Sequence, residues 1–406
     1  MVPLIIDHLA YILVFVVFLA ISSFIYIRLK YGFWSIQPVF HVYDAFYLFS
    51  NPKIISSRLP EKNKYTNFEH ISTMNAESVI ESELKQTRLV KFICSQYLQN
   101  ADNVFSPKLD NLLPYFKGHN FPAYFSFYEE KENEKDKQDK LIGTISSRPV
   151  LITFTKSGGS SGGSHEMMPA YYVDYLCVDS RFRKKGIAAQ LIQTHEYNHR
   201  HLNPRIVVSL FKREDELTGI VPLCVYQTYG FSANQWTKPH AFANAAYNIV
   251  DIGPQNLHLL MDFVKQTSNQ FEITVRPEIA NIVELLKTNN IFICAVLFHD
   301  EIQCAYFYRK SCTFIEKNLE VLSCFASVNN GKCDVDVFVH GFKISFWKIA
   351  AKHKFGAAAI EHISHNHHII DALQIHTTPF IVSPTAYFFY NFVHPTVSAN
   401  KVLILN

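Results

Sequence analysis

The chain has 406 residues, of which 48% are hydrophobic and 14% aromatic, so it can bury sizeable cores and is not an intrinsically disordered chain. At about 100–200 residues per domain, two or three structural units are expected. The formal net charge is only +3, from 38 Lys and Arg against 35 Asp and Glu, which argues against a dedicated nucleic-acid-binding protein.

The first predicted element is an apolar helix at residues 9–27, after a short tail at residues 1–8. The helix carries no charge and, at about 1.5 Å per residue, approaches the roughly 30 Å thickness of a bilayer core. Arg28 and Lys30 follow it, and positive charge on that side predicts a single-pass membrane anchor with a cytosolic main body. The alternatives are a buried core helix and a cleaved signal peptide, although the segment before the helix lacks Lys and Arg and no small-residue cleavage site follows.

Three strands and a helix are predicted next. The strands are residues 123–128, 141–155 with a break near Pro149, and 170–178, and the helix runs from Gly186 to about His199. A charged loop at 129–140 and a Gly- and Ser-rich connector at 156–164 separate the strands. Successive strands, the last of which leads into a helix through a basic turn, indicate an α+β or mixed α/β fold.

The second half, after a boundary that we place near residue 240, has the same mixed pattern. Helices are predicted at 280–288 and, from a stretch rich in Ala and Lys, at 342–362. Strands at 291–298 and 302–310 are expected to pair, and closing strands are expected at 387–392 and 402–405.

The eight cysteines and the clustered histidines give little sign of a metal site. No C-x-x-C pair occurs, and several cysteines lie in apolar runs, which is typical of buried thiols in a reducing compartment. Four histidines, at 362, 365, 367 and 368, include an i, i+3 spacing that can place two on one helix face, but only Glu361 and Asp371 stand near them. We predict no bound metal.

The most informative segment for function is 172–193. It consists of a strand, a turn that carries Arg181, Arg183, Lys184 and Lys185, and a helix that opens at Gly186. A helix N-terminus presents unpaired N–H groups and the positive end of the helix dipole, so with these cations it can bind an anion such as a pyrophosphate. The alternative is a solvated basic turn in an ordinary strand–helix unit.

The pattern R-x-x-G-x-A at residues 183–188 resembles the sequence with which the GNAT acyltransferase superfamily binds the pyrophosphate of CoA. Residues 226–231, YQTYGF, resemble the Y-x-x-x-G-F segment found late in that fold. There the tyrosine can protonate the leaving thiolate, which makes Tyr226 a candidate acid. The alternative is that Tyr226 and Tyr229 are core aromatics and Gly230 caps a helix.

Further segments resemble the N-myristoyltransferase (glycylpeptide N-tetradecanoyltransferase) family. Residues 33–39, FWSIQPV, resemble its F-W-x-T-Q-P-V, and residues 175–178, YLCV, resemble its N-F-L-C-V, which is followed by a basic turn as here. Residues 97–105, YLQNADNVF, resemble Y-V-E-D-x-D-x-x-F, and the tail from 387 to 406 resembles Y-Y-L-Y-N-W followed by K-V-G-L-V-L. The matches keep their order from residue 31 to the last residue, whereas 240–380 matches weakly.

The resemblance implies two fused GNAT-like halves, each with a central twisted sheet, after the membrane helix. Residues 28–240 would bind the acyl-CoA, and residues 241–406 would supply most of a peptide groove. Backbone amides of Tyr175 and Leu176, freed from the sheet by a bulge, would form an oxyanion hole, and the C-terminal carboxylate on Asn406 would accept a proton. The residues that would contact CoA are Phe33, Trp34, Tyr175, Leu176, Cys177, Val178, Arg183, Lys184, Gly186, Ile187 and Ala188.

The implied reaction moves a fatty acyl group, expected to be myristoyl, from acyl-CoA to the N-terminal glycine amine of a protein or peptide. Such an amine has a pKa of about 8, so it needs a carboxylate to remove its proton, but the thioester needs no covalent enzyme intermediate. Acyl-CoA is then a co-substrate, and no permanently bound cofactor is expected. Cys177 lies mid-strand in an apolar run and is expected to pack rather than to act as a nucleophile.

Several residues depart from the family pattern. Gly186 stands where the family usually carries Arg, and its T-C-R-Y-W-H-R remains only as residues 223–226, LCVY. The acidic peptide-binding triplet is reduced to Gln99, Asn100 and Asp102. CoA binding is therefore better supported than glycyl-peptide binding. Two alternatives stay open: a generic GNAT N-acetyltransferase that uses acetyl-CoA and Tyr226, and a catalytically inactive double-GNAT binding protein on a membrane.

Overall fold

The computed structural model describes residues 2–47, 51–98, 103–130, 140–155, 165–214, 219–234, 236–315 and 319–406. The core of the charged loop, the whole Gly- and Ser-rich connector, and Gln99, Asn100 and Asp102 lie outside these residues. The helices of the described residues are α1 Val2–Tyr31, α2 Ala76–Ile80, α3 Glu83–Gln96, α4 Leu109–Leu112, α5 Ile187–Leu202, α6 Leu257–Thr267, α7 Ile279–Lys287, α8 Val335–His353 and α9 Asn366–Gln374.

The strands mostly belong to one large, mixed sheet. They are β1 Lys53–Ile54, β2 Ile71–Asn75, β3 Asn103–Phe105, β4 Tyr124–Glu130, β5 Lys140–Thr155, β6 His165–Val178, β7 Ser209–Glu214, β8 Cys224–Ser232, β9 Tyr247–Ile252, β10 Ile273–Arg276, β11 Ile291–Phe298, β12 Glu301–Ile315, β13 Leu319–Asn329, β14 Phe355–Glu361, β15 Ile381–Tyr390, β16 Phe392–Val393 and β17 Val402–Ile404.

Hydrogen bonding runs without a break through both halves of the chain. The sheet order is β17-β10-β5-β6-β7-β15-β8-β14-β13-β12-β11-β9, with β4 and β2 beside β5, and β3 beside β12. Strands also cross between the halves: β10 and β17 extend the β5 edge, and β15 lies between β7 and β8. The boundary near residue 240 stays a prediction, because it marks no gap in this sheet.

The N-terminal helix α1 begins at Val2, inside the segment predicted as a tail, and ends beyond residue 27 at Tyr31. Pro3 is tolerated in a first helical turn, and no further Pro or Gly occurs before Gly32, whose φ is +47°. Between residues 11 and 31 the apolar side chains are largely exposed, and this is the helix of the described residues that is long and apolar enough to cross a membrane.

The helices bury their apolar faces on both sides of the sheet. α8 and α9 pack on β11–β14, and α6 and α7 cover the opposite face around Phe307 and Phe325. α5 lies over β4 and β5, where its buried His195 shares hydrogen bonds with Ser126 Oγ (2.7 Å) and Ser147 Oγ (2.9 Å). These bonds fix the helix whose N-terminus was predicted to bind an anion.

Most predicted elements are confirmed, but the break at Pro149 is wrong. β5 is continuous through Pro149, which is opposite Tyr171 of β6. On the other edge of β5, β4 pairs only as far as Ser147 and β10 pairs only from Leu151. Pro149 therefore lies between two partner strands, where no neighbour on that edge needs the missing N–H.

The predicted helix over 342–362 is also wrong in its second half. α8 ends at His353, where Lys354 adopts φ +63°, and residues 355–361 form the central strand β14. The alanines there favour a helix by propensity, but Ala357, Ala358 and Ile360 are buried between β13 and β8. Gly230 likewise caps no helix, because it lies within β8.

Candidate functional site

The site opens where β6 and β7 diverge. These parallel strands pair only over Tyr171–Val173 and Ser209–Phe211, so within the described residues β6 continues to Val178 without a strand partner on that edge. On its other edge β6 bulges, because Ser146 pairs with Asp174 and Thr144 pairs with Cys177, which leaves Ile145 opposite two residues. Those two residues are Tyr175 and Leu176, the predicted oxyanion-hole residues.

The bulge changes the backbone direction at Tyr175, which has φ +49°, an uncommon conformation for a residue other than glycine. The N–H of Tyr175 donates to its neighbour's side chain, Asp174 Oδ1, at 2.8 Å. Tyr97 Oη lies 3.4 Å from the same oxygen, and Leu176 is exposed. An aspartate carboxylate thus lies directly beside the proposed hole, a feature that the sequence analysis missed.

The anion-binding turn has the backbone that its sequence predicts. Lys184 and Gly186 have φ +64° and +80°, and α5 starts at the next residue, Ile187, with its N-terminal amides at the end of this turn. A Cβ built on Gly186 would meet no atom within 4 Å, so the space above the turn is open. Glycine is favoured here by its positive φ rather than by crowding.

The basic side chains of the turn have different roles. Arg181 donates to Asp179 through Nε (3.0 Å) and Nη2 (2.6 Å). Arg183 donates to the carbonyl oxygens of Val178 (3.2 Å) and Gln96 (3.1 Å). Arg183 therefore fixes the turn itself, whereas the exposed Lys184 and Lys185 remain as the cations beside the helix N-terminus.

The predicted CoA-contacting aromatics lie near this helix. Trp34 stacks on Phe211 of β7, with ring centres 5.9 Å apart, and Phe33 packs edge-on against Tyr65. Gln37, at the end of the same turn, donates to Gln193 of α5 at 3.2 Å. The structure thus docks residues 33–37 on both β7 and α5, the two elements that flank the divergence.

Cys177 is a poor nucleophile in this structure. Burial raises the pKa of its thiol to about 12, so the thiolate is scarce at neutral pH. This favours the packing role that the sequence predicted.

A second group of polar residues forms a buried ionic network around Glu361. Its Oε1 accepts from Arg309 Nη2 at 2.5 Å, and its Oε2 lies 3.2 Å from Lys212 Nζ and accepts from Tyr226 Oη at 2.5 Å. Arg309 Nη1 also donates to the main-chain oxygen of Asn406 at 3.1 Å. Tyr226 and Asn406, predicted separately, therefore belong to the same network.

Charge pairing decides the protonation of this network. Burial opposes ionisation of Glu361, yet Lys212 and Arg309 outweigh it and lower the carboxyl pKa from 4.5 to about 2. Burial and the adjacent carboxylate raise the pKa of Tyr226 well above its usual value. Tyr226 therefore stays protonated and donates its hydroxyl hydrogen to the Glu361 carboxylate, which makes this phenol a weak proton donor to any other group.

Two tyrosines connect the network to the bulge. The Arg148 guanidinium lies over the rings of Tyr115 and Tyr172, 4.9 Å from each ring centre, and Nη2 is 3.8 Å from Asp174 Oδ2. Burial raises the pKa of Tyr172, and the charges of Asp174 and Arg309 both act on its phenol. Tyr172 is therefore within electrostatic range of both the carboxylate beside the hole and the arginine that binds Asn406.

Sequence reasoning missed Arg148, Asp174, Lys212, Arg309 and Glu361. One signal was available for Arg148, Arg309 and Glu361, since each is a charged residue inside an apolar strand segment: SSRPVL, YFYRK and AAAIE. The clustered histidines, by contrast, have structural contacts; His365 Nδ1, for example, accepts from the Asn329 N–H at 2.9 Å. Among the described residues, no group of three His, Cys, Asp or Glu side chains could hold a metal ion.

No protein-family model and no curated protein sequence matches the chain. Solved structures do. Saccharomyces cerevisiae N-myristoyltransferase with bound myristoyl-CoA matches with a TM-score of 0.71 at 12% identity, over 91% of this chain and 89% of that chain. A second structure of that enzyme with bound myristoyl-CoA gives 0.69 at 12% identity, over 91% and 94%. A third, with myristoyl-CoA and inhibitors, gives 0.71 at 13%, over 90% and 91%. Likeness at this identity establishes the fold and confirms the predicted mixed α/β class.

Proposed function

We propose that the chain transfers a fatty acyl group, with myristoyl as the expected chain, from CoA to the N-terminal glycine amine of a protein. The observation that supports this most is the continuous segment from Asp174 to α5. It combines a bulge, at which Tyr175 and Leu176 stand opposite the single residue Ile145, with a turn of left-handed backbone that leads into a helix N-terminus. It does so in a fold shared with an enzyme solved with bound myristoyl-CoA.

In this proposal, residues 33–37, the divergence of β6 from β7, and the turn at Gly186 together bind the acyl-CoA. The amides of Ile187 and Ala188 and the ammonium groups of Lys184 and Lys185 face the pyrophosphate, as expected for an anion at a helix N-terminus. Arg183 positions the turn through its bonds to backbone carbonyls.

The amides of Tyr175 and Leu176 stabilise the oxyanion that develops on the thioester carbon. The carboxylate of Asn406 takes the proton of the acceptor amine, and Arg309 positions it through its 3.1 Å bond to one oxygen. The attack is direct, so the reaction needs an oriented amine and thioester rather than a protein nucleophile.

Replacing Lys184 and Lys185 with Ala is expected to raise the Kd for myristoyl-CoA about threefold to tenfold at low salt, because each exposed ion pair with the pyrophosphate contributes about 0.2–1 kcal/mol. The effect should shrink as salt rises, since both side chains are exposed. Isothermal titration at two ionic strengths measures it. The matched control is the Lys287→Ala, Lys332→Ala pair, which removes the same charge from exposed positions elsewhere. Equal Kd values for the two double variants would place the pyrophosphate elsewhere.

We also propose that α1 anchors the chain in a membrane, with the body on the cytosolic side. The full chain is then expected in the membrane fraction and to resist extraction with alkaline carbonate, whereas a variant that lacks residues 2–27 should be in the supernatant. A reporter at the C-terminus should be digested by protease added to the cytosolic face. Recovery of the full chain in the supernatant without detergent would rule out the anchor.

A panel of acyl-CoA donors with one glycyl peptide tests the proposed activity. We expect CoA release and an N-acylated peptide with myristoyl-CoA. Turnover with acetyl-CoA alone would favour the generic N-acetyltransferase. The structure argues against that mechanism, because its proposed acid, Tyr226, already donates its hydroxyl hydrogen to Glu361. Binding of myristoyl-CoA without turnover would favour the non-catalytic alternative.

A further inference from the structure

Arg148 is a buried cation that uses only part of its hydrogen-bonding capacity. It is 2% exposed, and within the described residues its Nε and Nη1 atoms are buried without a hydrogen-bond partner. The rings of Tyr115 and Tyr172 pack against the guanidinium but do not accept hydrogen bonds from its in-plane N–H groups. Nε and Nη1 lie on different edges of the guanidinium, so the fork that can bind a carboxylate with two parallel hydrogen bonds is the Nη1–Nη2 edge, whose Nη2 is 3.8 Å from Asp174 Oδ2.

Asp174 places a negative charge beside this edge. Its carboxylate is 3.8 Å from Arg148 Nη2, too far for a strong hydrogen bond, and its side chain is 25% exposed. The same carboxylate touches the N–H of Tyr175, so it lies next to the proposed thioester position. A partly free cation and a partly free anion thus lie side by side at the reaction centre.

We propose that this site binds a free α-amino acid and that the chain also acylates its amine. The α-carboxylate is bound by Arg148 and the α-ammonium by Asp174. Both charged groups of an amino acid are attached to one carbon, which matches the short spacing of the two side chains. The flanking Tyr115 and Tyr172 rings favour the smallest member, glycine. This inference rests on the proposed function, from which it takes the donor and the oxyanion hole.

Charge balance favours a zwitterion over a peptide at this position. The Arg148–Asp174 pair and the Glu361 network together contain three cations, which are Arg148, Arg309 and Lys212. Three anions balance them: the side-chain carboxylates of Asp174 and Glu361 and the proposed carboxylate of Asn406. A zwitterion adds no net charge to a buried site, whereas a peptide N-terminus brings an ammonium and leaves the Arg148 edge without an anion.

The reaction balances without a further reactant. The ammonium gives one proton to the carboxylate of Asn406, and its lone pair forms the new C–N bond with the thioester carbon. The C–S bond breaks, its electron pair stays on sulfur, and the thiolate takes the second proton from nitrogen. As Asp174 turns to the ammonium, it releases the Tyr175 N–H to the thioester oxygen. The products are an N-acyl amino acid, CoA and one proton passed to solvent.

In the test, the full chain in detergent is incubated with myristoyl-CoA and one of three amines. These are glycine, glycinamide, and a glycyl octapeptide with an amidated C-terminus. Release of CoA thiol and the mass of the product are measured. Glycinamide keeps the amine and loses the carboxylate, so we expect kcat/KM for glycine to exceed that for glycinamide at least tenfold. Equal values would overturn the inference.

Variants then assign the effect to Arg148. In Arg148→Gln the ratio of glycine to glycinamide kcat/KM should fall close to 1, and Arg148→Lys should keep only part of the preference. The matched control, Arg205→Gln at an exposed position, should keep the full ratio. Myristoyl-CoA binding shows that each variant is folded. A full preference in both Arg148 variants would overturn the assignment.

The outcomes also separate this inference from the proposed function. Acylation of the octapeptide without acylation of glycine would leave the proposed function standing and reject the inference. Binding of myristoyl-CoA with no acceptor consumed would reject the proposed function and the inference with it.

Discussion

Extending the chain by one residue beyond Asn406 is expected to lower kcat for acyl transfer by about 100-fold or more, while the Kd for acyl-CoA stays unchanged. The extension converts the proposed carboxylate into a peptide group that accepts no proton at neutral pH. Asn406 is only 6% exposed, and Leu403 and Leu405 anchor the strand before it in the core, so an added residue displaces the end of the chain from Arg309. Donor-binding residues lie on other elements and are not touched.

The matched control is Asn406→Ala, which keeps the terminal carboxylate. The Asn406 side-chain amide is buried and, among the described residues, has no hydrogen-bond partner, so its removal should cost little. Steady-state kinetics and myristoyl-CoA titration on both variants measure the effect. An extended chain that keeps the wild-type kcat would remove the carboxylate from the mechanism.

Replacing Glu361 with Gln is expected to lower the free energy of unfolding by about 3–5 kcal/mol, because it removes the buried carboxylate that pairs with Arg309 and Lys212, whose side chains are only 21% and 20% exposed. The carboxylate is 3% exposed, so water cannot take its place. Denaturant unfolding with two spectroscopic probes measures the change. The control Glu284→Gln removes a surface partner, 3.7 Å from Lys117, and should change stability by about 1 kcal/mol or less. Equal losses of unfolding free energy in the two variants would show that the Glu361 network contributes no more to stability than a surface ion pair.

The contribution of Glu361 should also depend on pH in a defined direction. Its carboxyl pKa is lowered from 4.5 to about 2 in the folded chain, so the folded state binds its proton less readily than the unfolded chain does. The stability is therefore fully present above about pH 4.5 and is lost as the pH falls towards 2. The difference between wild type and Glu361→Gln should narrow over that range.

Local sequence was sufficient for the parts of the molecule that short-range patterns determine. The alternating strand before Cys177, the positive-φ position at Gly186 and the small residues that open α5 all lie within one continuous segment. Backbone physics alone fixes their geometry. The pairing of residues 291–298 with β12 was predictable for the same reason, since both runs are apolar and adjacent in the chain.

The rest depends on contacts between distant residues. Residues 355–361 have a helical composition and become a strand only because β13 and β8 bury them on both sides. Glu361, Arg309 and Asn406 come from three separate strands or strand ends, and no spacing rule connects them. The Asp174 bond to Tyr175 follows from a bulge whose position is set by the register of β5 against β6.

The crossing of strands between the halves has a consequence during protein synthesis. Residues 151–154 of β5 gain their outer neighbour only when β10 at 273–276 has been made, and β10 gains its own outer neighbour only when residues 402–404 have been made. The nascent first half therefore leaves the ribosome with an open edge. A fragment that ends at residue 240 lacks β10 and β15, so it exposes strand edges that are paired in the full sheet, and residues 402–406 both complete the β10 edge and reach Arg309.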